Sequence, residues 1–223
     1  MCFSATASFT ASFSLSVLGI ATLTQTTSKN QLLLAAFPLF FASQQLLEGI
    51  VWLTLNKPLT PLHFMATYGF LGFATALWLI FCPFSVYLLE AHPIRKKLIL
   101  GLTLIGTILG TYLFSFVVIQ GTIPINYSGH LLYDLNFIPF YNICKYLYLL
   151  VVSVPFLISS QRLLVLFGVL AMVSFLVADQ FYQVTFVSVW CFFAAILSGG
   201  LFLIFLYDKI ELSKLNNQQS EVN

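Results

Sequence analysis

The feature that most constrains this chain is a polar cluster inside a long apolar run. Glu48 is the only charged residue between positions 32 and 55. At about 1.5 Å per residue this run is roughly 36 Å long, more than the ~30 Å hydrocarbon core of a bilayer. Gln44, Glu48 and Trp52 recur at four-residue spacing and Gln45 precedes Glu48 by three, so the four side chains share one helical face. Because an ionisable group at membrane depth is costly, this face must contact protein or water.

The composition is that of an integral membrane protein. Of the 223 residues, 60% are hydrophobic and 7% are charged, whereas soluble domains are about a quarter charged. The mean hydropathy is +0.97. A net charge of +2 is too small to indicate nucleic acid as a partner. We therefore expect a lipid bilayer around the chain and no nucleic acid.

Seven segments are long and apolar enough to span a bilayer. They predict an all-α membrane protein, with a seven-transmembrane-helix bundle over residues 1–208 and a polar, disordered tail over 209–223. The predicted spans are 4–23, 32–55, 63–89, 98–119, 140–159, 163–182 and 184–207. The longest connection, residues 120–139, follows the fourth span.

Basic residues in the short connections predict the orientation. Those in the loops after the first, third and fifth spans and in the tail are Lys29, Arg95, Lys96, Lys97, Arg162, Lys209 and Lys214. The loops on the other side contain only Lys57. Since Lys and Arg are retained on the cytoplasmic side, we expect the C-terminus in the cytoplasm and the N-terminus outside.

In the predicted topology, most polar residues that are candidates for a functional site lie towards the exterior. Glu48 and Lys145 lie at similar depths, roughly 10 Å and 7 Å below the outer ends of their helices. Asp179 is near the outer end of the sixth helix, Trp190 lies in the seventh, and His130 is in the long outer loop. This arrangement predicts an outward-facing polar pocket around Glu48, capped by that loop.

Each of these residues also has a purely structural interpretation. Glu48 and Lys145 can form an ion pair that holds two helices together, or Glu48 can act as a ligand-binding, proton-carrying or catalytic carboxylate. Asp179 can simply cap or hydrate a helix end. Trp52 and Trp190 can belong to the aromatic belt at the membrane surface.

Metal and disulfide chemistry have little support in the sequence. The histidines lack the HxxxH and HExxH spacings of zinc enzymes, so His63, His130 and a carboxylate meeting outside form the one candidate zinc site. No other cofactor is evident. Cys2, Cys144 and Cys191 permit a disulfide whose pairing the sequence leaves undetermined.

Two helices carry faces of small residues. Serines recur every four residues from Ser4 to Ser16 in the first span, and Gly106 and Gly110 form a GxxxG pair in the fourth. Small side chains let helix backbones approach closely in membranes, so we expect close packing at both faces.

Three short segments resemble one known family. The opening Met1-Cys2-Phe3-Ser4-Ala5, the Gln-Gln-x-x-Glu-Gly-x-x-Trp pattern of residues 44–52 and the Trp-Cys-Phe-Phe-Ala-Ala segment of residues 190–195 are similar to those of an uncharacterised bacterial family of multi-pass membrane proteins. The resemblance implies a bacterial inner membrane location and no established reaction. It also implies that the N-terminus, Glu48 and Trp190 belong to one site. The paired-histidine pattern of seven-helix ceramidase-like hydrolases is not matched, because HxxxH is missing.

These observations leave three functional hypotheses. The first is that the protein binds, senses or transports a small polar or cationic ligand, or protons, at the Glu48 pocket. The second is an intramembrane hydrolase acting on a lipid or small amide, with Glu48 as acid/base and Cys2, Ser4 or a metal-bound water as nucleophile. The third is a structural or accessory membrane subunit. The candidate ligand-binding residues are Cys2, Ser4, Gln44, Gln45, Glu48, Trp52, His130, Lys145, Asp179 and Trp190.

Overall fold

The chain folds into a helical bundle with one small β-hairpin. A computed structural model describes residues 4–55 and 60–222, with side chains described to residue 211. The helices are α1 (Ala5–Leu23), α2 (Leu32–Ala35), α3 (Phe37–Thr54), α4 (Pro61–Gly72), α5 (Trp78–Leu89), α6 (Pro93–Gln120), α7 (Tyr141–Leu157), α8 (Arg162–Phe181), α9 (Phe186–Gly199) and α10 (Leu201–Val222). The predicted all-α class is confirmed.

Six helical stretches are long and apolar enough to cross a membrane, as expected of a membrane protein. They are Ala5–Leu23, Lys29–Thr54, Pro61–Leu89, Pro93–Gln120, Arg162–Phe181 and Phe186–Glu211. The segment predicted as the fifth span, 140–159, corresponds to α7, which is apolar but shorter.

The small face of α1 packs against α3, as predicted. The Ser12 hydroxyl donates a 2.8 Å hydrogen bond to the Ala42 carbonyl of α3. A Cβ atom on Gly49 of α3 would lie 2.8 Å from the Phe9 ring of α1. Because Gly49 follows Glu48 directly, this contact holds α1 against the segment that carries the carboxylate.

The predicted close packing at the GxxxG pair is also confirmed, and it is coupled to a proline. A Cβ atom on Gly106 of α6 would lie 2.1 Å from the Leu79 carbonyl oxygen of α5, so only glycine fits there. Pro83 lies inside α5 and has no N–H to donate to the carbonyl four residues earlier, which is that of Leu79. The Leu79 carbonyl, which lacks its usual helical N–H partner, faces the small surface of the neighbouring helix.

The long connection after α6 is folded over one end of the bundle, which we call the hairpin end. Its two short strands, Ile125–Tyr127 and His130–Leu132, pair antiparallel, with Tyr127 opposite His130. Hydrophobic side chains of the second strand and of the residues after it point into the core. Leu131, Tyr133, Leu135 and Ile138 are buried. This segment is the only β structure among the described residues.

The C-terminal tail differs from the prediction of disorder. Helix α10 continues through the polar positions after residue 208 to Val222. Leu, Glu, Lys and Gln are good helix formers, and extending an existing helix avoids the cost of nucleation.

Candidate functional site

The polar stripe of α3 faces the interior of the bundle. Gln44, Gln45 and Glu48 are fully buried, each with 0% of its surface exposed, and Trp52 is half-buried. Three large polar side chains on one helix are thus enclosed by other helices, which is the arrangement that their shared face predicted.

The Glu48 carboxylate is held by uncharged donors from two helices. Gln45, one turn earlier, donates from Nε2 to one carboxylate oxygen at 3.1 Å. Ser188 of α9 donates its hydroxyl to the other oxygen at 2.6 Å. The second bond joins residues 140 positions apart and ties α9 to α3 through the buried acid.

Several buried polar atoms near this carboxylate lack a protein partner. Gln44 accepts a 2.8 Å hydrogen bond from the Trp78 indole of α5, but its own Nε2 has no partner among the described residues, and neither does Gln45 Oε1. The same holds for the Trp190 indole N–H of α9. Since an unmade buried hydrogen bond costs about 1–3 kcal/mol, these atoms are suited to contact a polar ligand or water.

Tyr133 brings the hairpin segment to the same region. Its ring stacks on Phe70 of α4 at 4.8 Å, and its hydroxyl is buried without a partner among the described side chains. Burial, and then the electrostatic influence of Glu48 and Cys191, raise the pKa of Tyr133 well above its usual value. Tyr133 therefore stays protonated and is a further uncharged donor beside Glu48.

Lys145 does not pair with Glu48. Its ammonium forms an ion pair with Asp179 of α8, and the Tyr146 hydroxyl donates a 2.9 Å hydrogen bond to the other oxygen of that carboxylate. The proposed Glu48–Lys145 pair is wrong because similar depth in a membrane does not fix which way a helix face points. Asp179, for which capping or hydration of a helix end was the alternative, lies near the end of α8 and pairs with Lys145.

The ion pair borders a cleft at the hairpin end that Glu48 does not line. This cleft has a volume of about 570 Å³ and is bounded by α7, α8, the segment after the hairpin and the start of α9. A smaller cavity of about 40 Å³ shares Lys145 with it and reaches Trp190 and Cys191, and Cys191 is a neighbour of the Gln44 side chain. Glu48 lines neither the cleft nor the small cavity, and Cys191, beside Gln44, lines the small cavity.

Trp190 is not a surface belt residue. It is 9% exposed and packs among Phe175, Phe186 and Tyr148, with ring centroids 5.0–5.7 Å apart. Its ring packs between α7, α8 and α9, as large aromatic side chains commonly do, and lines the small cavity.

One match decides the family to which the chain belongs. A family model described as a family of unknown function, DUF6629, matches residues 1–216. The chain belongs to the DUF6629 family. A search of the curated proteins and a search of the solved structures each found no match.

The remaining candidate residues of this DUF6629 chain are Ser4, His130 and the cysteines. Ser4 caps α1, accepting a 3.2 Å hydrogen bond from the Ala7 N–H, and Cys2 lies outside the described residues. His130 packs against the Tyr182 ring at 5.2 Å. Cys144 and Cys191 are free thiols.

Metal ligands are not assembled in the part of the chain that the structure describes. No three His, Cys, Asp or Glu side chains within it form a group able to hold an ion. His63 uses Nδ1 for a 2.8 Å hydrogen bond with Thr54, which fixes its ring between α3 and α4.

A second buried acid, Glu90, which sequence reasoning missed, lies at the end opposite the hairpin. Its carboxylate accepts hydrogen bonds from the Ser160 hydroxyl at 2.6 Å, the Ser160 N–H at 2.9 Å and the His92 N–H at 2.8 Å. Burial acts to raise the pKa of Glu90, but these bonds, with the charge of Arg95, hold it below its usual value. Glu90 thus fastens the α5–α6 turn to the α7–α8 turn. Its only sequence signal was an acid directly after an apolar span.

Proposed function

We propose that this protein binds a proton or a small cation at Glu48 inside a membrane-embedded bundle. The observation that supports the proposal is the full burial of this carboxylate among uncharged partners, Gln45 and Ser188. An isolated negative charge is strongly disfavoured in a low-dielectric interior. Because the only ion pair among the described side chains is that of Lys145 with Asp179, neutrality at Glu48 requires a proton or a bound cation.

The surroundings of Glu48 suit a site that alternates between these two occupants. The acceptor Gln45 Oε1 and the donor Gln44 Nε2 are buried without partners in the described protein. An acceptor beside a carboxylate supplies a second oxygen ligand for a cation, and hard cations prefer oxygen ligands. A donor stabilises the carboxylate when the cation leaves.

We further propose that α7 is the seventh span, which makes the bundle a seven-helix one with the N-terminus outside and the C-terminus in the cytoplasm of a bacterial cell. The distribution of Lys and Arg supports this orientation. The cleft at the hairpin end then faces the exterior, and the small cavity at Trp190 and Cys191 is the approach towards Glu48. Sensing or transport would follow from exchange of the proton or cation along this route.

The test is infrared spectroscopy of the reconstituted full-length protein. A protonated carboxylic acid has a carbonyl band that a carboxylate and an amide lack, so pH-difference spectra should contain a band that disappears in Glu48→Gln. The matched control is Glu211→Gln, the same change at an exposed acid of α10, which should leave that band in place. Ser188→Ala should shift the band, because the Ser188 hydroxyl bonds to this carboxyl group.

Cations are tested on the same samples. If sodium, potassium or tetramethylammonium binds at Glu48, it displaces the proton, and the band should weaken saturably in the wild type and in Glu211→Gln. Identical spectra for wild type and Glu48→Gln, in every condition, would refute the proposal. A band that is present but unaffected by any of the three cations would restrict the site to protons.

A further inference from the structure

The cleft at the hairpin end contains two opposite charges side by side. Lys145 and Asp179 both line it, and their side chains are 14% and 18% exposed. The pair therefore lies in a concave space of about 570 Å³. A concave space with a few convergent polar groups is the usual form of a small-molecule site.

Both charged groups keep capacity for another partner. An ammonium has three donors, and a carboxylate has about four acceptor positions. Lys145 uses one donor for Asp179, and Asp179 accepts from Lys145 and the Tyr146 hydroxyl. A ligand can therefore bind to each group without breaking the ion pair.

The ammonium of Lys145 is held in position by aromatic rings. It lies 5.3 Å from the Tyr146 ring centroid and 5.2 Å from that of Phe186, distances at which cation–π attraction operates. A fixed ammonium loses little conformational entropy when a ligand binds, which favours affinity.

The rest of the lining combines apolar side chains with uncharged polar ones and one further acid. Asn136, Asn142 and Gln183 supply amide donors and acceptors, and Asp134 adds a second negative charge. Lys145 favours an anionic group of a ligand, and Asp179 and Asp134 favour a cationic one. A molecule that carries both charges satisfies both members of the pair, so the lining discriminates by charge arrangement.

We infer that this cleft binds a small zwitterion, with its carboxylate towards Lys145 and its ammonium towards Asp179. The site is distinct from Glu48, which does not line the cleft, and the inference holds whether or not Glu48 binds protons. A zwitterion seated here lies at the mouth of the small cavity that extends to Trp190.

The experiment measures equilibrium binding to the purified full-length protein by dialysis. Radiolabelled glycine, β-alanine and γ-aminobutyrate present the two charges at increasing separation. At least one should bind saturably and be displaced by its unlabelled form, but not by choline or acetate at the same concentration. Lys145→Met and Asp179→Asn should each weaken binding by about tenfold or more, since each removes a charge-assisted bond.

The control variant is Lys96→Met. Lys96 also lies over a tyrosine ring, that of Tyr87 at 4.9 Å, but at the opposite end of the bundle, so binding should be unchanged. Glu48→Gln should also retain binding, which separates this inference from the proposed function.

Three results would overturn the inference: no saturable binding of any of the three zwitterions, displacement by choline or acetate as effective as by the zwitterion, or binding lost in Lys96→Met as much as in Lys145→Met. The ligand comparison uses the wild type alone and decides the matter even if a cleft variant fails to fold.

Discussion

The hydrogen bond between Ser188 and Glu48 can be measured as a coupling energy between α9 and α3. Ser188→Ala removes a 2.6 Å bond to the carboxyl group. A hydrogen bond contributes about 0.5–1.5 kcal/mol when the carboxyl group is protonated and about 1.5–3 kcal/mol when it is charged. Glu48→Gln replaces one oxygen by an amide donor, so one of the two donors facing it loses its acceptor, at a cost of about 1–3 kcal/mol. Both changes disrupt the same contact, so the double variant should cost about 1–2 kcal/mol less than the sum of the single ones.

The assay is the free energy of unfolding of the four proteins in mixed detergent micelles, followed by circular dichroism. The chain offers a matched control in Ser153 of α7, which is equally buried but whose hydroxyl has no partner among the described residues. Ser153→Ala should be nearly neutral and additive with Glu48→Gln. Additivity of Ser188→Ala with Glu48→Gln within about 0.5 kcal/mol would refute the contact and remove the basis for a site shared by α3 and α9.

Two further predictions concern the ends and the packing of the bundle. Glu90→Gln should lower the unfolding free energy by about 2 kcal/mol near neutral pH, because it disrupts the charge-assisted bonds from Ser160. The pKa of Glu90 is lowered in the fold, so the stability advantage of the wild type over Glu90→Gln is complete at pH values above the usual pKa of a carboxyl group. The advantage should vanish as acid protonates Glu90. An advantage that persists in strong acid would contradict the assignment. Gly106→Ala should lower the free energy of unfolding by at least about 2 kcal/mol, because its new Cβ would lie 2.1 Å from the Leu79 oxygen. The control Gly101→Ala on the same helix has nothing within 4 Å of its new Cβ and should be neutral or stabilise by about 0.5–1 kcal/mol. Equal thermal stabilities of the two variants would count against the close contact.

The features that were predicted correctly from the sequence are those that local geometry sets. The face shared by Gln44, Gln45 and Glu48 depends only on the helical repeat, and their burial follows from the cost of polar groups in lipid. The Gly106 and Gly110 pair likewise predicts close packing, because residues without side chains let helix backbones approach each other.

The partners of the charged groups were decided by the tertiary structure. Depth along the membrane normal made Lys145 a plausible partner of Glu48, but the angular orientation of α7 turns it towards Asp179. That orientation results from side-chain packing among several helices and leaves no periodic signal within any one of them. The same reason explains why Ser188 was not anticipated.

The amino-acid sequence by itself therefore determined the all-helical class, the presence of several segments apolar enough to cross a membrane, and which face of α3 is polar. Only the tertiary structure decided that Glu48 bonds to uncharged Ser188 rather than to a lysine, and that the ion pair borders a separate cleft. The physical reason is that helix periodicity and burial are properties of neighbouring residues, whereas pairing across a bundle depends on how whole helices rotate and pack against one another.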